Sequence, residues 1–146
     1  MRKEKIIEFN NLLSYASKFL TKETYEHSLR VVLYVMCNDA IPEEIHDDCI
    51  VAAIAHDLIE DGSIGIGELP HPLDDRVVGA LDLLTKREKQ HYVDYIKEIK
   101  ECAHTADGKI AYWVKMADMK DHLAQKATLT DRLKEKYLEA LPFLLP

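Results

Sequence analysis

The chain has 146 residues, 47% of them hydrophobic and 31% charged, with a formal net charge of −7. That balance suits one folded domain of ordinary composition rather than a disordered segment. Net negative charge argues against nucleic acid as a partner, since phosphate backbones need a basic surface, and no apolar run approaches the ~20 residues of a membrane span.

The first eight residues, Met1 to Glu8, mix acid with base and hold no apolar stretch, so no signal peptide is expected. Apolar residues then recur at helical spacing. Ile6, Phe9, Leu13, Ala16 and Leu20 predict a first helix. Tyr25, Leu29, Val32 and Met36 predict a second, N-capped by Thr21 or Thr24. A third begins near Pro42, a residue suited to a first turn, and is expected to run to about Glu60. Gly62, Gly65 and Gly67, with Pro70 and Pro72 behind them, make a loop. No strand precedes it and no Gly-Lys-Ser/Thr follows, so it reads as a linker over the site rather than a phosphate cradle. Val77, Leu81 and Leu84 mark a fourth helix, and Tyr92, Tyr95, Ile96 and Ile99 a fifth. Ile110, Trp113, Val114 and Ala117 mark a sixth, and Leu133, Tyr137 and Leu141 a seventh. Nothing alternates with period two. The expectation is a single all-α domain over residues 1–146, a compact bundle of about seven helices. Cys37, Cys49 and Cys102 are odd in number and widely spaced, which predicts no disulfide framework and fits a reducing cytoplasm.

The third helix carries the strongest chemical signal. Seven unbroken apolar residues, Cys49 to Ala55, lead directly into His56-Asp57 and then Glu60-Asp61. A helix apolar all round belongs in a core. Ionisable groups buried there cost several kcal/mol each, by the usual order of magnitude, unless a partner or metal offsets them. On a continuous helix Glu60 is i+4 from His56 and Asp61 is i+4 from Asp57, so all four would share one broad face. A hydrogen-bonded polar cap is the competing reading of these four. The second His-Asp pair, His46-Asp47, is flanked by Glu43, Glu44 and Asp48 and reads as the solvated first turn of the same helix.

Two more residues bear on the choice. His27 and Asp118 each lie in an otherwise apolar helical pattern, where a buried Asp in particular needs a partner. With His56 and Asp57 they offer two imidazoles and two carboxylates from three helices and no thiolate. That donor set suits Mn²⁺, Fe²⁺, Mg²⁺ or Zn²⁺ with positions left for water. His46, His71, His91 and His104 lie in polar or loop stretches and are not expected as ligands. Arg30 and Lys115, each one turn from a candidate ligand, rank first as substrate-binding cations, ahead of Lys86 and Arg87. Trp113, Met116 and Met119 read as core.

His27, His56-Asp57 and Asp118 together resemble the H…HD…D signature of the HD-domain metal-dependent phosphohydrolases. His-Asp-Leu-Ile-Glu-Asp (56 to 61) is similar to the HDxxED form of the Rel/SpoT-type alarmone hydrolases and their small single-domain relatives. Val-Lys-Met-Ala-Asp (114 to 118) resembles their VKxAD segment, and Leu84-Thr85 with Tyr92 to Ile96 a segment of the small relatives. The resemblance covers residues 20 to 125. It implies an all-helical domain with one divalent ion, Mn²⁺ first among Fe²⁺, Co²⁺, Mg²⁺ and Zn²⁺, held by His27, His56, Asp57 and Asp118. Glu60 and Asp61 would orient and deprotonate the attacking water, and the substrate would be a small phosphorylated nucleotide. In that branch the reaction removes pyrophosphate from the 3′ position of guanosine tetra- or pentaphosphate. This chain has His122 where the branch carries Asn, still a hydrogen-bonding side chain and a candidate substrate contact. It also lacks the basic stretch before the first His. The alternatives are a nucleoside monophosphate phosphatase of the HD type and a non-catalytic nucleotide- or metal-binding regulator.

Overall fold

The structure, a computed structural model, describes residues 1–62 and 64–146, and every regular element among them is helical. Short polar side chains set several of the starts by taking free first-turn amides. Thr21 Oγ1 accepts from the Thr24 amide ahead of α2 (Lys22–Met36), the first of the two threonines offered by the sequence. Asp74 does the same for α4 (Asp75–Leu84), Thr105 for α6 (Ala106–Ala124) and Thr130 for α7 (Asp131–Leu144). The remaining helices are α1 (Lys3–Phe19), α3 (Glu43–Ala55) and α5 (Tyr92–Glu101), with a short 3₁₀ turn at Ile66–Glu68. The seven α-helices among the described residues agree with the apolar spacing. No helix among the described residues is long and apolar enough to cross a membrane.

The core sits between α3 and α6. Helix α6 packs against α2, α3, α4, α5 and α7, and α3 against α1, α2, α4 and α6. That placement follows from composition: Cys49 to Ala55 are buried throughout, as an all-round apolar helix requires. Gly108 lets α6 start close to the end of α5. A Cβ there would fall 1.7 Å from the Cys102 carbonyl oxygen, so no other residue fits without moving the backbone.

Two sequence expectations need correction. The buried face of α1 is Lys5, Glu8, Leu12 and Ala16, whereas Ile6 is 45% exposed. The face turns because Lys5 Nζ has charge partners inside: Glu8 Oε2 at 2.9 Å, Asp48 Oδ1 at 2.6 Å and Asp74 Oδ2 at 3.3 Å. Arg76 closes the network on Asp48 Oδ2 at 2.8 Å. The second correction concerns α3, which ends at Ala55 rather than near Glu60. His56 Nδ1 lies 2.7 Å from the Ala53 carbonyl, the acceptor that the Asp57 amide would use if the helix continued. Leu58 N bonds Ala55 O at 3.0 Å, an i→i−3 contact, before single turns resume at Asp61 and Gly62.

Candidate metal centre

Three segments meet at one point. Helix α2 brings His27, the turn after α3 brings His56 and Asp57, and α6 brings Asp118. One donor atom from each lies within 4.8 Å of the others. His27, His56 and Asp118 are almost fully buried. Helix α3 has ended before Asp57, Glu60 and Asp61, which line one cavity, and the irregular turn itself brings His56 and Asp57 inward together. Their Nε2 and Oδ2 atoms are 3.1 Å apart.

Hydrogen bonds on the far side of each ring decide which nitrogen faces the centre. His56 Nδ1 faces a carbonyl acceptor, so Nδ1 carries the hydrogen. His27 Nδ1 lies 2.7 Å from Asp121 Oδ2, with the same consequence. Both Nε2 lone pairs therefore point at Asp118 Oδ1, from 2.8 Å for His27 and 3.1 Å for His56. His27 Nε2 is also 3.5 Å from Asp57 Oδ2. Four acceptor atoms facing one another repel unless a cation stands among them. Without a metal the cation is a proton. Burial alone would lower the pKa of both imidazoles. The carboxylates of Asp118 and Asp57 outweigh it, lifting His27 above its ordinary value and His56 well above. A divalent ion competes for the same lone pairs. Adjacent donors on an ion with bonds of about 2.0–2.1 Å stand about 2.8–3.4 Å apart across octahedral and tetrahedral geometry. The 2.8 Å and 3.1 Å separations fall in that range, and the 3.5 Å between His27 Nε2 and Asp57 Oδ2 is slightly wider. A carboxylate or carbonyl behind each histidine is the arrangement that orients metal-ligating imidazoles.

Around the centre, Asp118 Oδ2 takes Lys115 Nζ at 2.7 Å. Burial would raise the Asp118 carboxyl, but Lys115 and the three neighbouring imidazoles hold it well below the usual carboxylate range. Lys115 is 8% exposed and its ammonium lies 5.0 Å over the Tyr95 ring. The ion pair ties Lys115, the first of the two expected substrate cations, to Asp118. Arg30 gives its Nε to Asp121 Oδ1 at 2.8 Å, so the second expected substrate cation is also tied to a carboxylate. His122 Nε2 is 3.2 Å from Asp118 Oδ1.

A cavity of about 490 Å³ opens over the centre. Glu60 and Asp61 line it, as do Arg30, Lys115 and His122. Burial raises both Glu60 and Asp61; the Asp57 charge adds to each, while the Lys86 amide, 2.5 Å from Glu60 Oε1, opposes the rise at Glu60. Lys86 also reaches the cavity, but its ammonium is held by the carbonyls of Arg87 and Gln90. Arg87 turns away to Glu98. The glycine loop includes Ser63, which lies outside the described residues; Gly62, Gly65 and Gly67 do not line the cavity. His46 instead contacts the Val35 carbonyl at 2.9 Å.

Two participants escaped the sequence reading. Asp121 is three residues beyond Asp118 on the same helix, a spacing that could have marked it. Lys136 lies on α7 and reaches the cavity over the rings of Tyr92 (4.4 Å) and Tyr137 (5.4 Å). Among the described residues it has no carboxylate partner. Burial, then Lys115 and Lys86, pull its pKa below the ordinary lysine value. Nothing local in α7 separates it from a surface lysine. Compared with protein-family models, curated proteins and solved structures, the chain shows no match.

Proposed function

We propose that the protein is a metal-dependent phosphohydrolase of the HD type, cleaving the 3′-pyrophosphate of guanosine tetra- or pentaphosphate or of a closely related nucleotide. The observation that carries the reading is the convergence of two Nε2 lone pairs and two carboxylates beside Glu60 and Asp61, in a cavity with lysines on its wall. His27, His56, Asp57 and Asp118 would hold the ion, Mn²⁺ foremost by resemblance. When bound, a divalent ion supplies Lewis acidity toward phosphoryl oxygens and toward water.

The chain's own residues supply the rest. Glu60 and Asp61 stand in a partly desolvated wall that makes them stronger bases than free carboxylates. One of them takes the proton from the attacking water as its oxygen bonds to phosphorus. The bond from phosphorus to the 3′ oxygen breaks, and that oxygen takes a proton from solvent as pyrophosphate separates. Lys136 offers an unpaired ammonium to the departing phosphates, and Tyr92 and Tyr137 beneath it fix its direction. The cavity lining carries seven carboxylates against four lysine and arginine cations, so a phosphate anion would depend on the bound ion as well as on Lys136.

A nucleotide panel with Mn²⁺-loaded protein tests the proposal. Guanosine tetraphosphate, or another nucleotide with a 3′-phosphate, should be cleaved faster than any nucleoside 5′-monophosphate. Equal or faster phosphate release from the monophosphates makes it a nucleotidase, and no turnover of either class makes it a binding regulator.

A further inference from the structure

We propose that His122 is a fifth ligand of the metal centre, which then holds three imidazoles and two carboxylates. The proposal rests on the metal reading, not on the identity of the substrate. Asp118 and His122 are four residues apart on α6 and so project from one side of the helix, the spacing with which a single helix chelates an ion. His122 Nε2 is 3.2 Å from Asp118 Oδ1. The same oxygen is approached by His27 Nε2 at 2.8 Å and His56 Nε2 at 3.1 Å. Three imidazole nitrogens thus surround one carboxylate oxygen at the separations expected between neighbouring donors on one ion.

The ring is held for that task. It stacks on His27 at 4.3 Å and 27° and on Tyr137 at 5.0 Å and 11°. Between two flat neighbours the imidazole keeps its plane, and its Nε2 edge stays toward Asp118. His122 is the outermost member: its side chain is 36% exposed, and it lies outside the four donors clustered within 4.8 Å. As a ligand it shifts inward from its place beside Asp118 Oδ1 and closes the centre from the cavity side, taking a position that would otherwise go to water. A third imidazole also moves the donor set toward nitrogen. That favours Zn²⁺, Co²⁺ or Fe²⁺ over Mg²⁺ and Mn²⁺ relative to a two-histidine site.

The test is X-ray absorption on the full-length protein, stripped and reloaded with Zn²⁺ or Co²⁺, beside the variant His122→Asn. The wild-type spectrum should count three imidazoles per metal and the variant two. In a chelator competition the variant should lose at least ~10-fold in Co²⁺ affinity, the lower end of what even an indirect partner contributes, and lose less for Mn²⁺. Two imidazoles in the wild type overturn the proposal whatever the variant does, because His122 then acts only through its contact with Asp118. That wild-type count stands even if the variant folds poorly. Failure of the wild type to take up any metal overturns this proposal and the metal reading together; uptake with two imidazoles overturns this one alone.

Discussion

Asp121 makes the metal reading quantitative without touching the ion. Its carboxylate is fully buried between two donors, His27 Nδ1 at 2.7 Å and Arg30 Nε at 2.8 Å. Burial alone would raise its pKa, but the hydrogen bonds from Arg30 and His27 outweigh that and hold it below the usual value. It is therefore an anion at neutral pH and only accepts. Asp121→Asn keeps the volume and converts one acceptor into an NH₂ donor. With the amide nitrogen toward His27, the imidazole must move its hydrogen to Nε2, onto the lone pair a metal needs. With the nitrogen toward Arg30, two donors face each other. Loss of such a supporting partner typically weakens metal binding by ~10–100-fold, equal to about 1.4–2.7 kcal/mol. At saturating metal the ion's contribution to stability falls by the same amount. For a chain of this length that is a loss of roughly 3–11 °C from the metal-induced rise in Tm. The metal-free Tm falls as well, because Arg30 loses a partner, so the readout is the difference between melts with and without metal. A variant that folds, binds the ion with wild-type affinity by calorimetry and keeps the full thermal increment would refute the assignment of His27 as a ligand oriented by Asp121.

Three further outcomes are expected. Glu60→Gln should lower turnover by ~100-fold or more, as removal of a positioned base does, while metal stoichiometry stays at the wild-type value; a wild-type rate would remove Glu60 from the chemistry. Lys136→Met should raise KM for the phosphorylated substrate about tenfold through one lost charge-assisted contact, and an unchanged KM would show that no phosphate reaches it. Lys5→Met takes the cation from Glu8, Asp48 and Asp74 and should lower unfolding free energy by about 3 kcal/mol in urea. A change under ~0.5 kcal/mol, the scale of an ordinary surface substitution, would mean that Arg76 and solvent carry those carboxylates alone.

Local pattern determined the helices. Apolar spacing every three or four residues is a property of neighbours along the chain, so about seven helices, a threonine cap on α2 and the apolar second half of α3 could be read directly. The four candidate ligands were legible for a related reason. His27, His56, Asp57 and Asp118 are ionisable groups embedded in apolar helical pattern, and desolvation makes such placements costly unless they converge. What only the tertiary structure decided was which charge meets which. Lys5 turns α1 inward because Asp48 and Asp74 wait on other elements, which exposes Ile6 against its hydrophobicity. His56 ends α3 by capturing a carbonyl of its own helix, a choice that pays only when its other nitrogen has a place in the centre. Arg30 and Lys115 pair with Asp121 and Asp118, and Lys136 reaches the same cavity from a helix that meets the site only after folding. Periodicity is written in residues three and four apart. Charge pairing links residues many tens apart, and its energy depends on burial that no window of sequence contains.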